Sequence, residues 1–160
     1  MAAPRAIAVA AILAATLGGA AWAWFGFGGA GTAIRLKPDD ANLVAEGKAV
    51  YARHCADCHG ANLEGAPNWR EPLPDGRFPA PPHDRTGHTW HHPDALLFDL
   101  TKRGTAAVVG GGYQSDMPGF DGILSDAEIV AVLSYIKSTW PAAIRARHDE
   151  LNSRAAPARK

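Results

Sequence analysis

The sequence predicts a small all-α domain, because apolar residues recur at helical spacing and no segment has the pattern of a strand. Three segments carry that spacing, and each begins near residues suited to a helix start: Asp39, Pro93 and Ser125. The domain expected over residues 39–141 is close to the size at which burial of side chains alone gives marginal stability. We therefore expect a single helical unit whose stability depends on more than the burial of its own side chains.

Residues 1–30 read as an export signal or as a membrane anchor that is kept. Arg5 is followed by an uncharged stretch to Ile34, and its apolar part is about long enough to cross a bilayer. That length favours an anchor, whereas Ala21-Trp22-Ala23 fits a cleavage site between small residues. Both interpretations predict that the rest of the chain is periplasmic, held at the inner membrane if the segment is uncleaved and free if it is removed. Residues 31–38 are predicted to be a linker.

The first predicted helix begins after Asp39 or Asp40, because a carboxylate there can accept the free backbone N–H groups of the first turn. Its apolar residues are Leu43, Val44, Val50 and Tyr51. Gly47 costs a helix about 1 kcal/mol relative to Ala, so we expect another backbone to approach closely at that position. The helix leads directly into Cys55.

Cys55-Ala56-Asp57-Cys58-His59 is the most informative motif in the chain. Two thiols at this spacing, followed by an imidazole, are typical of covalent attachment of a c-type haem. Each thiol of Cys55 and Cys58 adds to one vinyl group, and His59 then becomes an axial iron ligand. The second ligand is predicted to be Met117, because the other Met is the initiator.

Two other uses of the thiols remain open. In an exported protein Cys55 and Cys58 could form a redox pair of the thioredoxin type, although such a pair is expected near a βαβ pattern. The same two residues could bind zinc together with His83 and His88, although the gap between the pairs exceeds that of an ordinary zinc finger.

Residues 60–93 are rich in Pro and Gly and show no regular periodicity, so we expect a long ordered loop that covers one edge of the cofactor. Its histidines are alternative iron ligands and also suit copper: His83, His88, His91 and His92. Packing and hydrogen bonding are the simpler use of these residues, including contacts from Trp90, Arg85 or a His to the haem propionates.

A second helix is predicted from Pro93 to Gly104, with Leu96, Leu97 and Leu100 on its apolar face. Three glycines at 110–112 then lead to Met117, and Pro118 restrains the backbone beside the sulfur. Ser125 and Glu128 form a capping box that begins a further helix, which ends or bends at Trp140-Pro141. Residues 142–160 are polar and are predicted to be a frayed helix with a disordered tail.

Residues 39–140 resemble the class I c-type cytochromes. The resemblance depends on the spacing from Gly47 and Tyr51 to the Cys-x-x-Cys-His motif, and on Met117-Pro118. It implies an all-α cytochrome c-like fold of three to five helices around one covalently bound haem, in which Gly47 and Tyr51 pack against the C-terminal helix. We expect eight apolar residues to surround the porphyrin: Leu43, Val50, Tyr51, Leu96, Leu97, Leu100, Leu133 and Ile136.

The implied function is that of a periplasmic one-electron carrier rather than an enzyme, because an iron with both axial positions filled has no open site for a substrate. Expected redox partners are a quinol-oxidising complex, a terminal oxidase or a periplasmic dehydrogenase. Two alternatives are a haem-bearing subunit of a periplasmic oxidoreductase and a copper-handling haem protein. The chain carries 16 basic and 16 acidic residues, so its net charge gives no reason to expect a nucleic-acid partner.

Overall fold

The computed structural model describes residues 33–155. In that part of the chain the regular elements are six α-helices and one 3₁₀ turn: α1 (Ala41–His54), α2 (Ala56–His59), the 3₁₀ turn (Thr89–His91), α3 (Asp94–Arg103), α4 (Thr105–Val109), α5 (Asp126–Ser138) and α6 (Ala142–Ala155). The all-α prediction is confirmed. The count of six exceeds the expected three to five because it includes two very short helices, α2 and α4, which have four and five residues.

Helices α1 and α5 pack with their backbones in direct contact at Gly47. A Cβ atom placed on Gly47 would lie 2.0 Å from the carbonyl oxygen of Ala131 and 2.9 Å from Cβ of Tyr135. One turn further along α1, Tyr51 is 2% exposed, and its ring lies against Tyr135 with centroids 5.5 Å apart. The absence of a side chain at Gly47 therefore allows the two helices to approach.

The predicted helix ends agree with the structure. The Asp40 carboxylate caps α1 by accepting a hydrogen bond from the Leu43 N–H. The Ser125 hydroxyl accepts from the Glu128 N–H, and the Glu128 carboxylate accepts from the Ser125 N–H at 2.9 Å, so the capping box is formed. Gly104, with φ +85°, ends α3.

The loop between α2 and α3 is held by close backbone packing. Added Cβ atoms at Gly65 and Gly87 would meet Pro82 backbone atoms at 2.4 Å and 1.9 Å. The Leu63 carbonyl oxygen accepts the His83 N–H at 2.8 Å, and the His83 carbonyl oxygen accepts the Trp140 indole N–H at 2.8 Å. These contacts attach the loop to the rest of the core.

Part of the predicted linker belongs to the folded domain. Leu36 is buried in the core, and its N–H donates to the Asp94 carboxylate at 2.9 Å. The Lys37 N–H donates to the Ser134 hydroxyl at 2.9 Å. The linker prediction over 31–38 therefore fails for Leu36 and Lys37. One buried apolar side chain and two long-range hydrogen bonds fix the segment before α1.

The C-terminal prediction over 142–160 needs a larger correction. Residues 142–155 form the ordered helix α6, while the last five residues lie outside the described part of the chain. α6 is anchored by His148, which is fully buried. The His148 Nε2–H donates to the His92 carbonyl oxygen at 2.9 Å, and Asn152 bonds both the carboxylate and the N–H of Asp94. A few polar anchors thus order a helix whose composition is that of a solvated tail.

The buried imidazole of His148 predicts a loss of stability in acid. Burial lowers the pKa of His148 from 6.5 and the nearby Lys137 lowers it further, while the His92 carbonyl, Asp94 and Asp149 oppose the shift. The unfolded chain then binds a proton at a higher pH than the folded chain does. The stabilising contribution is complete above the unfolded pKa and is lost as the pH falls below it.

We expect the His148→Gln variant to lose less free energy of unfolding than the wild type between about pH 7 and about pH 5. Urea unfolding at the two pH values measures the difference, with the exposed His91→Gln variant as the control. Equal losses in wild type and His148→Gln would contradict this assignment.

The predicted signal or anchor over residues 1–30 lies outside the described residues. Across residues 33–155, no helix has both the length and the apolar character that a bilayer crossing requires.

Candidate functional site

The two cysteines lie at the junction of α1 and α2. Cys55 separates the helices and is half-buried, whereas Cys58 is exposed, and both thiols are free. Burial raises the pKa of Cys55 to about 11, and Cys58 adds to the effect. The attacking thiol of a thioredoxin-type pair has a lowered pKa instead, so this environment does not favour the redox-pair interpretation.

His59 is buried, and its orientation is set by a backbone carbonyl. The Nδ1 atom lies 2.8 Å from the Pro81 carbonyl oxygen, which requires Nδ1 to carry the proton and leaves a lone pair on Nε2. Burial lowers the pKa of His59, although the Pro81 hydrogen bond opposes that shift. A neutral, oriented imidazole with a free Nε2 has the form that metal ligation requires.

His83 lies on the same side of the site as His59. The two rings are stacked, with centroids 4.0 Å apart and planes 25° apart. If His59 held a haem iron, the second ligand would be needed on the opposite face, and a ring stacked on His59 would not be placed to supply it. The His83 Nδ1 atom instead lies 2.8 Å from the Thr89 hydroxyl.

Met117 follows α4, and the residues after it are held against the end of α3. After Pro118 the chain runs against the end of α3, where an added Cβ atom on Gly119 would lie 2.7 Å from the Arg103 carbonyl. The Phe120 N–H donates to the Thr101 carbonyl oxygen at 3.1 Å. The Thr105 hydroxyl donates to the Met117 sulfur at 3.4 Å, which leaves a second lone pair on the sulfur for a metal.

One cavity of about 1260 Å³ is lined by Cys55, Cys58, His59 and Met117 together. This volume exceeds the roughly 300–1,000 Å³ of ordinary small-molecule pockets. Four of the eight apolar residues expected around a porphyrin line it: Leu96, Leu100, Leu133 and Ile136. Val50, Tyr51 and Leu97 are buried in the protein core instead, and Leu43 belongs to neither group. A large, mostly apolar group with two thioether links fits this cavity.

The polar part of the cavity wall is made by the Pro- and His-rich loop. Arg70, His88 and His92 line the cavity. The His88 ring stacks on Trp69, and the Arg70 guanidinium lies 4.2 Å from the centre of the same indole. Trp90 and His91 stack on each other and line a separate cavity of about 200 Å³, and Arg85 lines neither cavity. The expected contacts from Trp90 and Arg85 to the propionates therefore have no support in this geometry.

Within residues 33–155, no three side chains among His, Cys, Asp and Glu come close enough to hold a metal ion. The zinc set of Cys55, Cys58, His83 and His88 is therefore not assembled. The four loop histidines make aromatic ring contacts, and the His83 Nδ1 atom also lies within hydrogen-bond distance of the Thr89 hydroxyl.

Three parts of this site have no signal in the sequence. The Pro81 carbonyl is a backbone group, which any residue could supply. The sequence predicts packing or ligation for His83 but not its partner, because its stacking on His59 depends on the path of the loop. Thr105 lies 12 residues before the Met117 sulfur that it contacts, and nothing local marks the pair.

The chain matches the family model described as Cytochrome c over residues 44–140. Among curated relatives, it is 31% identical over 111 residues to the Cbb3-type cytochrome c oxidase subunit FixP of Azorhizobium caulinodans, covering 69% of this chain and 34% of the relative. It is 33% identical over 100 residues to the Cbb3-type cytochrome c oxidase subunit CcoP of Azospirillum sp. (strain B510), covering 62% of this chain and 30% of the relative.

The chain spans about a third of the length of these curated relatives. No solved structure matches it significantly. The family match covers more than half of the chain and includes the Cys-x-x-Cys-His motif, the cavity and the Met117 segment. The resemblance to c-type cytochromes is thereby confirmed: the chain belongs to the cytochrome c family, and it is an electron-transfer protein with a covalently bound c-type haem.

Proposed function

We propose that this protein is a non-catalytic one-electron carrier whose haem is attached through Cys55 and Cys58, with His59 and Met117 as axial ligands. The haem supplies the ferric–ferrous couple. The observation that supports the assignment best is that all four side chains line one cavity, with the His59 Nε2 lone pair free and the Met117 sulfur held by Thr105. With both axial positions filled by protein, there is no open position for a substrate.

The polar lining suggests how the cofactor is oriented. Propionates are the anionic groups of a haem, and Arg70 is the cationic side chain in the wall built by the loop. His88 and His92 add hydrogen-bond donors nearby. We assign the propionates to this part of the wall, and the vinyl groups to the end that carries Cys55 and Cys58.

The relatives favour a particular class of partner. FixP and CcoP are named as subunits of cbb3-type cytochrome c oxidases, so we propose that this chain passes electrons to or within a terminal oxidase. A quinol-oxidising complex or a periplasmic dehydrogenase is then the source of the electrons. The second candidate function, a haem-bearing subunit of an oxidoreductase, is favoured by the same two names. We place the haem domain in the periplasm, where c-type haem proteins exchange electrons with such membrane complexes, and the N-terminal segment would hold it at the membrane if it is uncleaved.

The axial ligand can be tested by replacing Met117 with Leu. The variant is expected to keep its covalent haem but to lose the thioether-to-ferric charge-transfer band, because Leu has no ligand atom. Carbon monoxide should then bind the ferrous protein, which it does not do readily when Met117 fills the position. Visible spectroscopy of both oxidation states checks these results.

The exposed Gln114→Ala variant, in the same segment, is the control and should retain the band. A charge-transfer band that survives in Met117→Leu would show that another residue is the ligand. Separation of the native protein from detergent-solubilised membranes distinguishes the two functions: a free monomer supports the carrier, and a stable large complex supports the subunit.

A further inference from the structure

The segment that carries Met117 has little packing of its own. Gly110, Gly111 and Gly112 have φ of +69°, +61° and +83°, and nothing lies within 4 Å of a Cβ atom placed on any of them. Residues 110–114 are exposed. The segment's own hydrogen bonds are short-range, from the Tyr113 N–H to the Gly110 carbonyl oxygen and from the Met117 N–H to the Ser115 hydroxyl. Long-range support for the backbone between α4 and Pro118 must therefore come from elsewhere in the chain.

Two side chains from outside this segment reach it by hydrogen bonds in the part of the chain that the structure describes. Thr105 donates to the Met117 sulfur. Arg77, 39 residues earlier in the chain, forms an ion pair with Asp116, the residue next to Met117. The Thr105 contact is made to the sulfur itself, whereas the Arg77 contact is made to the side-chain carboxylate of the preceding residue.

Arg77 is oriented before it reaches Asp116. Its Nε and Nη2 atoms donate to one carboxylate oxygen of Asp75 at 2.9 and 2.6 Å, which leaves Nη1 for Asp116. A tight turn fixes the backbone, because the Leu73 N–H donates to the Arg77 carbonyl oxygen at 2.8 Å and Gly76 adopts φ +85°. The planar guanidinium can bond two carboxylates at once, which a Lys ammonium does with less defined geometry.

The loop that holds Arg77 also holds His59. Four residues after Arg77, the Pro81 carbonyl oxygen accepts the His59 Nδ1–H at 2.8 Å. The intervening backbone is fixed by a hydrogen bond from the Ala66 N–H to the Ala80 carbonyl oxygen at 2.8 Å, and Phe78 lines the cavity. One loop thus contacts the segments of both proposed axial ligands.

We infer that Arg77, oriented by Asp75, is a positioning residue for Met117: its ion pair with Asp116 keeps the glycine-rich segment closed, so that the thioether is not displaced from iron. This inference rests on the proposed axial role of Met117. The side chains of Arg77 and Asp116 are 37% and 57% exposed. The pair therefore adds little to global stability, and its effect falls on the local opening of a segment with few other contacts.

Competition by imidazole for the iron tests this role in the ferric holoprotein at low salt. The affinity is read from the loss of the thioether-to-iron charge-transfer band. Arg77→Gln and Asp116→Asn are each expected to bind imidazole roughly twofold to fivefold more tightly than the wild type, as loss of an exposed ion pair predicts. The double variant should match the single variants, because both remove the same interaction.

Arg77→Lys should restore part of the wild-type affinity because it keeps the charge. Arg154→Gln is the matched control, since it breaks the exposed Arg154–Glu150 pair on α6, and it should bind imidazole as the wild type does. Urea unfolding should be unchanged within error in Arg77→Gln and Asp116→Asn, which separates positioning from a general loss of stability.

Three results would overturn the inference, in two distinguishable ways. If the wild type has the charge-transfer band but imidazole affinity is unchanged in both single variants, or their effects add in the double variant, Arg77 does not position Met117. If the wild type itself lacks the band, the axial role of Met117 is wrong and the inference fails with it.

Discussion

A Cys55→Ser/Cys58→Ser variant, matured in a host that attaches c-type haem, is expected to carry no covalent pigment. Both thioether links are lost, so any porphyrin in the cavity would be held only by axial ligands and apolar contacts. Staining for haem on a denaturing gel measures the loss. Asp57→Ala, between the two cysteines, keeps both thiols and His59 and should stain as strongly as the wild type.

The same variant is expected to lose most of its tertiary structure when it contains no haem. Without haem, the apolar side chains that line the cavity, among them Leu96, Leu100 and Leu133, would face water, and each such exposure costs roughly 1.5–3 kcal/mol. The total stability of a domain is only about 5–15 kcal/mol. The haem-free chain should therefore show weak near-ultraviolet circular dichroism. A cooperative unfolding transition equal to that of the wild type would contradict this expectation, and covalent pigment in the double variant would contradict attachment through these thiols.

Replacing Gly47 with Ala is expected to destabilise the protein by about 2–4 kcal/mol, at or above the upper end of overpacking costs. The new methyl group would lie 2.0 Å from the Ala131 carbonyl oxygen, so α1 and α5 would have to separate. The gain of about 1 kcal/mol in helix propensity offsets only part of that cost. Urea unfolding of the holoprotein measures the change in the free energy of unfolding.

Lys48→Ala, at an exposed position next to Gly47 on α1, is the control for this measurement and should change the free energy of unfolding by less than about 0.5 kcal/mol. If Gly47→Ala were as stable as Lys48→Ala, the two helices would not be in backbone contact at this position.

Much of the fold follows from local patterns. The cap at Asp40, the stop at Gly104 and the capping box of Ser125 and Glu128 all involve residues within three or four positions of one another. Their energies depend on short stretches of backbone, so they can be read without knowing the path of the chain. The close approach at Gly47 was also predicted, because a glycine within a helix requires a reason.

The prediction failed where long-range polar contacts order a segment of weak local preference. α6 is mostly polar, with Ile144 packed against the core. Its anchors His148 and Asn152 contact residues 56 and 58 positions away. The buried end of the predicted linker, at Leu36, depends in the same way on Asp94. No window of neighbouring residues contains both partners of such contacts.

The sequence by itself determined the chemistry of this protein: two thiols and an imidazole at a fixed spacing, and one thioether available outside the initiator, are covalent facts that no folding can alter. Only the tertiary structure decided which lone pair of His59 is free, which side of the site His83 occupies and what holds the segment beside Met117. Those answers depend on the Pro81 carbonyl, a ring stack and the Arg77–Asp116 pair. Each of these contacts joins groups at least 22 residues apart. They form only when the chain is packed, so neighbouring residues in the sequence cannot predict them.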